Sequence, residues 1–402
     1  MNIFNSLGSN YTLPFALRAL FAGGGEGSRQ KLIAYLEKRY GGHATLTYKG
    51  RDALALALRA SIGETEGAKV AINGFTCIAL YDAVVESGYT PLFLDIDDGA
   101  VDFSAATLRE ALGRQPQVRA VVIQNTLGTP GEIEQIAELC RVRGIALIED
   151  LAHSIGATYD NGREAGTMGD AVVLSFSQDK VVDGISGGAV IMHNASFASR
   201  VGAPKGHVPF ARQCKDRLYP LITWNIRVLY PVGIGKALHA LTRALRLLPR
   251  PLDGEQEQCM LPGWYASLIL EEFTRLPKTA EHRRNIATLY ANRLAKSSQL
   301  PQVVEKLRRS ANLRFPIQTA DRAILVAQLA HAGVYISDIW YDAPIAPKKY
   351  ASRTSYTKGI CPRSDSLADT IVNLPTHINT SLSQAERIAY EVNTYLDHES
   401  RR

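Results

Sequence analysis

From about residue 45 to residue 195, short apolar runs recur at regular intervals, at 69–72, 91–95, 119–124, 145–149, 171–176 and 188–192. Between many of them lie segments with the 3.6-residue period of an amphipathic helix, as at 79–87, 105–112 and 132–142. Strands alternating with helices predict a mostly parallel sheet covered on both faces. In such open sheets ligands bind beyond the carboxyl ends of the strands, so chemistry is expected where the runs stop.

Past residue 250 the pattern changes. A long helix is predicted over 265–294, then a strand-like run at 311–316 and helices at 320–332 and 383–395, which together suit a smaller α/β domain. The division expected is a large domain over 1–255 and a small C-terminal domain over 256–402, with Pro249-Arg250-Pro251 as the linker. Residues 205–250 stand apart, with nine Lys or Arg against one acid, Asp216, and a predicted helix at 236–248 with one apolar and one basic face. An ordinary solvated or subunit-facing helix pair accounts for that segment. So does contact with the diphosphate of a nucleotide, or with an anionic membrane surface.

The 402 residues are 46% hydrophobic and 21% charged, enough to bury a sizeable core, which argues against disorder or a disulfide-stapled miniprotein. A net charge of +6 is too mild to point to nucleic acid. The five cysteines are widely spaced and form no CxxC pair, so neither a zinc site nor a disulfide framework is expected. The N-terminus lacks the basic-then-apolar pattern of a signal peptide, and a cytoplasmic location is expected.

Three segments could carry chemistry. In Ser175-Phe176-Ser177-Gln178-Asp179-Lys180 a strand ends, a polar turn follows, and a lysine sits where ligands bind. Such a lysine can lose its proton and attack a carbonyl; equally, it can be a surface lysine in a loop. In Ile148-Glu149-Asp150-Leu151-Ala152-His153 a strand terminates in two acids. A buried carboxylate there could keep a heteroaromatic nitrogen protonated, as pyridoxal phosphate requires, or the acid could cap a helix and His153 could be structural. In Lys49-Gly50-Arg51-Asp52 a turn opens an Ala/Leu-rich helix, which is an anion site or an ordinary capped turn.

In this order, the three segments resemble the DegT/DnrJ/EryC1/StrS family of sugar aminotransferases, fold-type-I pyridoxal-phosphate enzymes, over roughly residues 30–200 and 260–396. Lys49-Gly50-Arg51-Asp52-Ala53-Leu54 stands where the family has Ser-Gly-Thr-x-Ala-Leu. Gly74-Phe75-Thr76-Cys77, Gln124-Asn125-Thr126-Leu127-Gly128-Thr129-Pro130 and Glu149-Asp150-Leu151-Ala152-His153 are similar to further family motifs, as is Asn373-Leu374-Pro375-Thr376-His377. The resemblance implies that Lys180 carries the cofactor covalently and Asp150 faces its ring nitrogen, the two forming the catalytic pair. It also implies that Gly50, Arg51, Asp52 and Ser175 hold the phosphate, that Cys77 replaces a stacking aromatic, and that His153 lies near the ring hydroxyl. By the same resemblance the chain is a cytoplasmic homodimer that moves an amino group from glutamate to a nucleotide-linked keto sugar, in glycan or natural-product sugar biosynthesis. A regulatory cofactor-binding protein of the same fold, or another pyridoxal-phosphate reaction, is the alternative. Lys180 speaks against the dehydratase branch, which carries histidine there. The sequence departs from the family at Leu261-Pro262-Gly263-Trp264-Tyr265, where a Gly-Tyr-Asn-Tyr-Arg-like segment is usual, and in the length of the basic segment. Asn225 is a candidate for the asparagine that relatives lend to a neighbouring subunit.

Overall fold

The computed structural model describes residues 2–249, 258–336 and 341–399. Its centre is a seven-stranded sheet made of β1 (His43–Thr47), β2 (Lys69–Asn73), β3 (Thr90–Leu94), β4 (Val118–Ile123), β5 (Ala146–Asp150), β6 (Ala171–Ser175) and β7 (Gly188–Met192). The strand order is β1-β7-β6-β5-β4-β2-β3, and every strand is parallel to its neighbours except β7, which runs against both β1 and β6. Six of these strands fall on the apolar runs of the sequence. The seventh, β1, has a half-exposed polar start and gave no such run.

Alternation along the strands feeds two cores. Ala120, Val122, Ile148, Ala171 and Val173 face the helix Gly50–Ile62, whose Ala53, Leu54, Ala57 and Leu58 are buried against them. Val121, Leu147, Val172 and Leu174 face the other side, where Leu32, Leu36, Leu108, Ile136, Ile269 and Phe273 cover them from four helices. Small alanines let the Gly50–Ile62 helix lie close on the sheet, and that closeness sets its first turn at the strand ends.

The C-terminal layer is a two-stranded antiparallel ribbon, Arg314–Gln318 with Ile371–Pro375, packed on the helices Gly263–Arg293, Arg322–His331 and Leu382–Glu399. Its first strand starts three residues later than the apolar run, because Asn312 takes a left-handed conformation (φ 49°) that interrupts extended backbone. The chain start returns to this layer: Ile3–Phe4 pairs with Val334–Tyr335. The boundary expected at 255/256 and part of the expected linker lie outside the described residues.

The basic segment forms two helices, Phe210–Leu229 and Ile234–Ala244. The second stops short of residue 248 because Arg246 is left-handed (φ 53°). Asn225 donates to the Leu221 carbonyl of its own helix at 2.8 Å. All five cysteines are free, and among the described residues no helix is long and apolar enough to cross a membrane.

Candidate active site

Beyond the carboxyl ends of β5 and β6 lies a cavity of about 240 Å³, lined by Gly50, Arg51, Cys77, Asp150, His153, Ser175 and Lys180. Seven of the eight residues singled out in the sequence thus meet in one place. The eighth, Asp52, does not line it; burial pushes its carboxyl up to about 6, partly countered by Arg51 and Lys49, and its charge in turn helps hold the proton on Lys49 at the cavity wall.

The two acids ending β5 part company by the two-residue alternation of a strand. Glu149, fully buried, accepts from the backbone N–H groups of Gly166, Met168 and Gly169 at 2.6–2.7 Å and from the Tyr159 hydroxyl at 2.7 Å. It fastens the loop between β5 and β6 and cannot reach the cavity. Asp150 faces the cavity and accepts from the Ala152 N–H at 2.9 Å. Burial pushes its carboxyl up to about 6, against the pull of that N–H and of the Lys180 charge.

Lys180 follows Asp179, held left-handed (φ 63°) in a turn tied from both sides. Asp183, buried, accepts from the Asp179 and Ile185 N–H groups at 2.7 and 2.9 Å and from Asn10 and Tyr11 at 3.1 and 2.8 Å. Asn10 also donates to the Lys180 carbonyl at 2.9 Å, and Ser9 to the Asp179 carboxylate. Burial lowers the ammonium of Lys180 below its ordinary value, while Cys77 and Asp150 partly restore it. An amine so placed loses its proton more readily than a surface lysine.

At the opposite end, β6 finishes at Ser175 beside the start of the helix Gly50–Ile62. A Cβ on Gly50 would lie 2.6 Å from the Ser175 Cβ and 2.8 Å from its hydroxyl, so glycine is what lets the helix N-terminus meet that serine. Backbone N–H groups at the helix start, the two hydroxyls of Ser175 and Ser177 (3.4 Å apart) and the flanking cations make an anion cradle. One cation, Lys49, was missed as a site residue in the sequence. It is buried, lines the cavity, and is pushed down to about 8 by burial and by Arg212 and Arg51. Arg51 itself lies 3.7 Å from Asp82.

His153 accepts the Leu127 N–H on Nδ1 at 3.2 Å, and burial keeps it neutral well below its ordinary range, which leaves the proton on Nε2. Cys77 lies on a two-residue strand, Thr76–Cys77, paired with Ile345–Ala346 of the C-terminal layer, and burial raises its thiol. Tyr341 and Gln124 complete that wall; Gln124 donates to the Tyr341 hydroxyl at 3.1 Å and accepts from Thr76. Gln124 ends the apolar run 119–124 and opens a family-like motif, yet was not singled out; Tyr341 carried no signal, since it comes from 191 residues downstream of Asp150. Asn125, by contrast, points away, binding Tyr159 and the Gly131 N–H. His377 holds the Phe4 carbonyl at 2.9 Å and anchors the N-terminal segment.

A family model for the DegT/DnrJ/EryC1/StrS aminotransferases matches residues 29–213 and 259–393. The UDP-N-acetyl-3-dehydro-alpha-D-glucosamine 3-aminotransferase of Acidithiobacillus ferrooxidans is 28% identical over 350 residues, which span 86% of this chain and 82% of the relative. The GDP-perosamine synthase of Vibrio cholerae is 31% identical over 266 residues, 62% of this chain and 70% of the relative. In three dimensions, a DegT DnrJ EryC1 StrS aminotransferase from Brucella abortus superposes with a TM-score of 0.71 at 22% identity, over 95% of each chain. That likeness establishes the fold.

Proposed function

The chain belongs to the DegT/DnrJ/EryC1/StrS aminotransferase family, and on that premise we propose that it transfers an amino group from glutamate to a nucleotide-linked keto sugar, using pyridoxal 5′-phosphate. The observation that carries the reading is the meeting, in one cavity, of an anion cradle at Gly50 and Ser175 with the Asp150 carboxylate and the Lys180 amine. The names of the relatives, which act on UDP- and GDP-sugars, support the acceptor class.

The residues fit the cofactor. The cradle, which a Cβ at position 50 would fill, suits its phosphate, with Ser175, Arg51 and Lys49 around it. When bound, the cofactor supplies an electron sink for negative charge at the carbon bearing the amino group. Asp150 holds the proton at the ring nitrogen, a task suited to a carboxylate that burial leaves short of partners. Lys180 would hold the aldehyde and would move the proton at the donor's α-carbon, as an amine with a lowered affinity for its proton can. His153, neutral in the cavity wall, would meet the ring hydroxyl. Cys77 adds a small polarizable contact to the wall. The reading includes a cytoplasmic homodimer, for which sedimentation equilibrium is the check.

The test is a panel of keto-sugar nucleotides incubated with glutamate and the cofactor-loaded protein. Release of 2-oxoglutarate with one acceptor, and borohydride fixation of the cofactor on Lys180, are expected. If no amino donor changes the cofactor's absorbance, the regulatory alternative takes its place.

A further inference from the structure

The helix Ile234–Ala244 shows three distinct faces. It meets the helix Phe210–Leu229 through Gly235 and Thr242, both buried, and a Cβ on Gly235 would collide with the Ile226 carbonyl. The small residues are therefore the packing face. The apolar stripe lies elsewhere: Ile234, Leu241 and Leu245 are 58%, 55% and 58% exposed, with Leu238 half-buried between them. Their spacing of four, three and four residues places them on one side of the helix. Val232, in the turn before it, is 70% exposed and extends the stripe. A surface helix of a globular protein turns such a stripe inward; this one turns it to solvent.

The charged side chains on the helix's far side have one sign. Lys236, Arg243 and Arg246 are exposed. The segment's one acid, Asp216, is buried, accepts from Tyr265 at 2.7 Å and pairs with Arg212 at 3.1 Å, so it offsets none of that surface charge. Two copies of this face would set like charge against like. An apolar groove on a partner would leave the cations unused. An anionic bilayer takes both parts, the aliphatic stripe into the headgroup–acyl boundary and the cations at the phosphates. The helix is about 10 Å across, so cations on its far side stay within about one Debye length of the lipid, and their long stems reach further toward it. Both helices' exposed faces fall largely within 214–258, the stretch that the family model leaves unmatched, so this surface is not part of what the matched residues share with the family.

We propose that the helix Ile234–Ala244 and the turn before it form an interfacial anchor that docks this chain on the anionic phospholipid surface of a membrane. Vesicle binding is measured without substrate, so the outcome is independent of the aminotransferase reading. Full-length protein is to be co-sedimented with phosphatidylglycerol-containing vesicles and with pure phosphatidylcholine vesicles, at low and high salt, with oligomeric state followed by light scattering. The expected result is binding to the anionic vesicles, reduced at least tenfold by high salt or by Lys236→Glu with Arg243→Glu, and lost in Leu241→Glu with Leu245→Glu. All four side chains are exposed in the folded chain, so the fold should be retained. Equal binding to both vesicle types, or none to either, overturns the proposal. So does an oligomer that falls apart in the leucine variant while vesicle binding persists, because the stripe is then a contact between copies.

Discussion

Replacing Asp150 by Asn should make the cofactor-free protein more stable, and only above a defined pH. Burial raises the Asp150 carboxyl from 3.8 to about 6. The folded protein therefore holds this proton more tightly than the unfolded chain, and stability is lost as pH rises through that window. A rise from 3.8 to about 6 corresponds to about 3 kcal/mol, lost progressively between these values and constant above them. Asparagine keeps an oxygen for the Ala152 N–H and never ionises, so the Asp150→Asn variant avoids this cost. Urea denaturation of both cofactor-stripped proteins across this range should show a difference near zero at about pH 4 that grows to about 3 kcal/mol by neutrality. In the cofactor-loaded proteins the order should reverse, because the carboxylate then has a cationic partner, and turnover of the variant should collapse. A difference independent of pH, or a variant less stable than wild type at neutral pH without cofactor, would refute the argument that Asp150 is a buried, under-partnered carboxylate.

Other outcomes follow from the same geometry. Lys180→Ala should fold normally yet give no borohydride-fixed cofactor, as read by peptide mass mapping; a label on another lysine would move the covalent site. Lys49→Ala should weaken pyridoxal phosphate binding about ten- to hundredfold, the worth of one charge-assisted contact, while leaving pyridoxal itself unaffected. Because Lys49 loses its charge near 8 in the free protein, wild-type affinity for the phosphate should fall as pH rises through that value, and the variant should lack that fall. Glu149→Gln sets an amide N–H against backbone donors and should cost about 2–4 kcal/mol in denaturation, with the cofactor spectrum of the folded fraction unchanged.

The sequence by itself determined six of the seven sheet strands and the places where they stop, because a strand buried on both faces must be apolar throughout and its end must be polar. Those stops put Asp150 and Ser175 at strand ends, where ligands bind; joining them with Lys180 in one site took the family resemblance as well. The helix Gly50–Ile62 was legible too, since its alanines and leucines repeat at helical spacing. What only the tertiary structure decided depends on partners distant along the chain. Residues 9–11 clamp the lysine turn from about 170 positions away, and no local pattern encodes that tie. Tyr341 closes the cavity wall from the C-terminal layer, and Lys49 joins the cradle because helix packing buries it there. The basic helix is the plainest case. Periodicity revealed that it has an apolar side, but which side turns inward was settled by Gly235, whose missing side chain lets the backbone close on its neighbour and leaves the leucines outside.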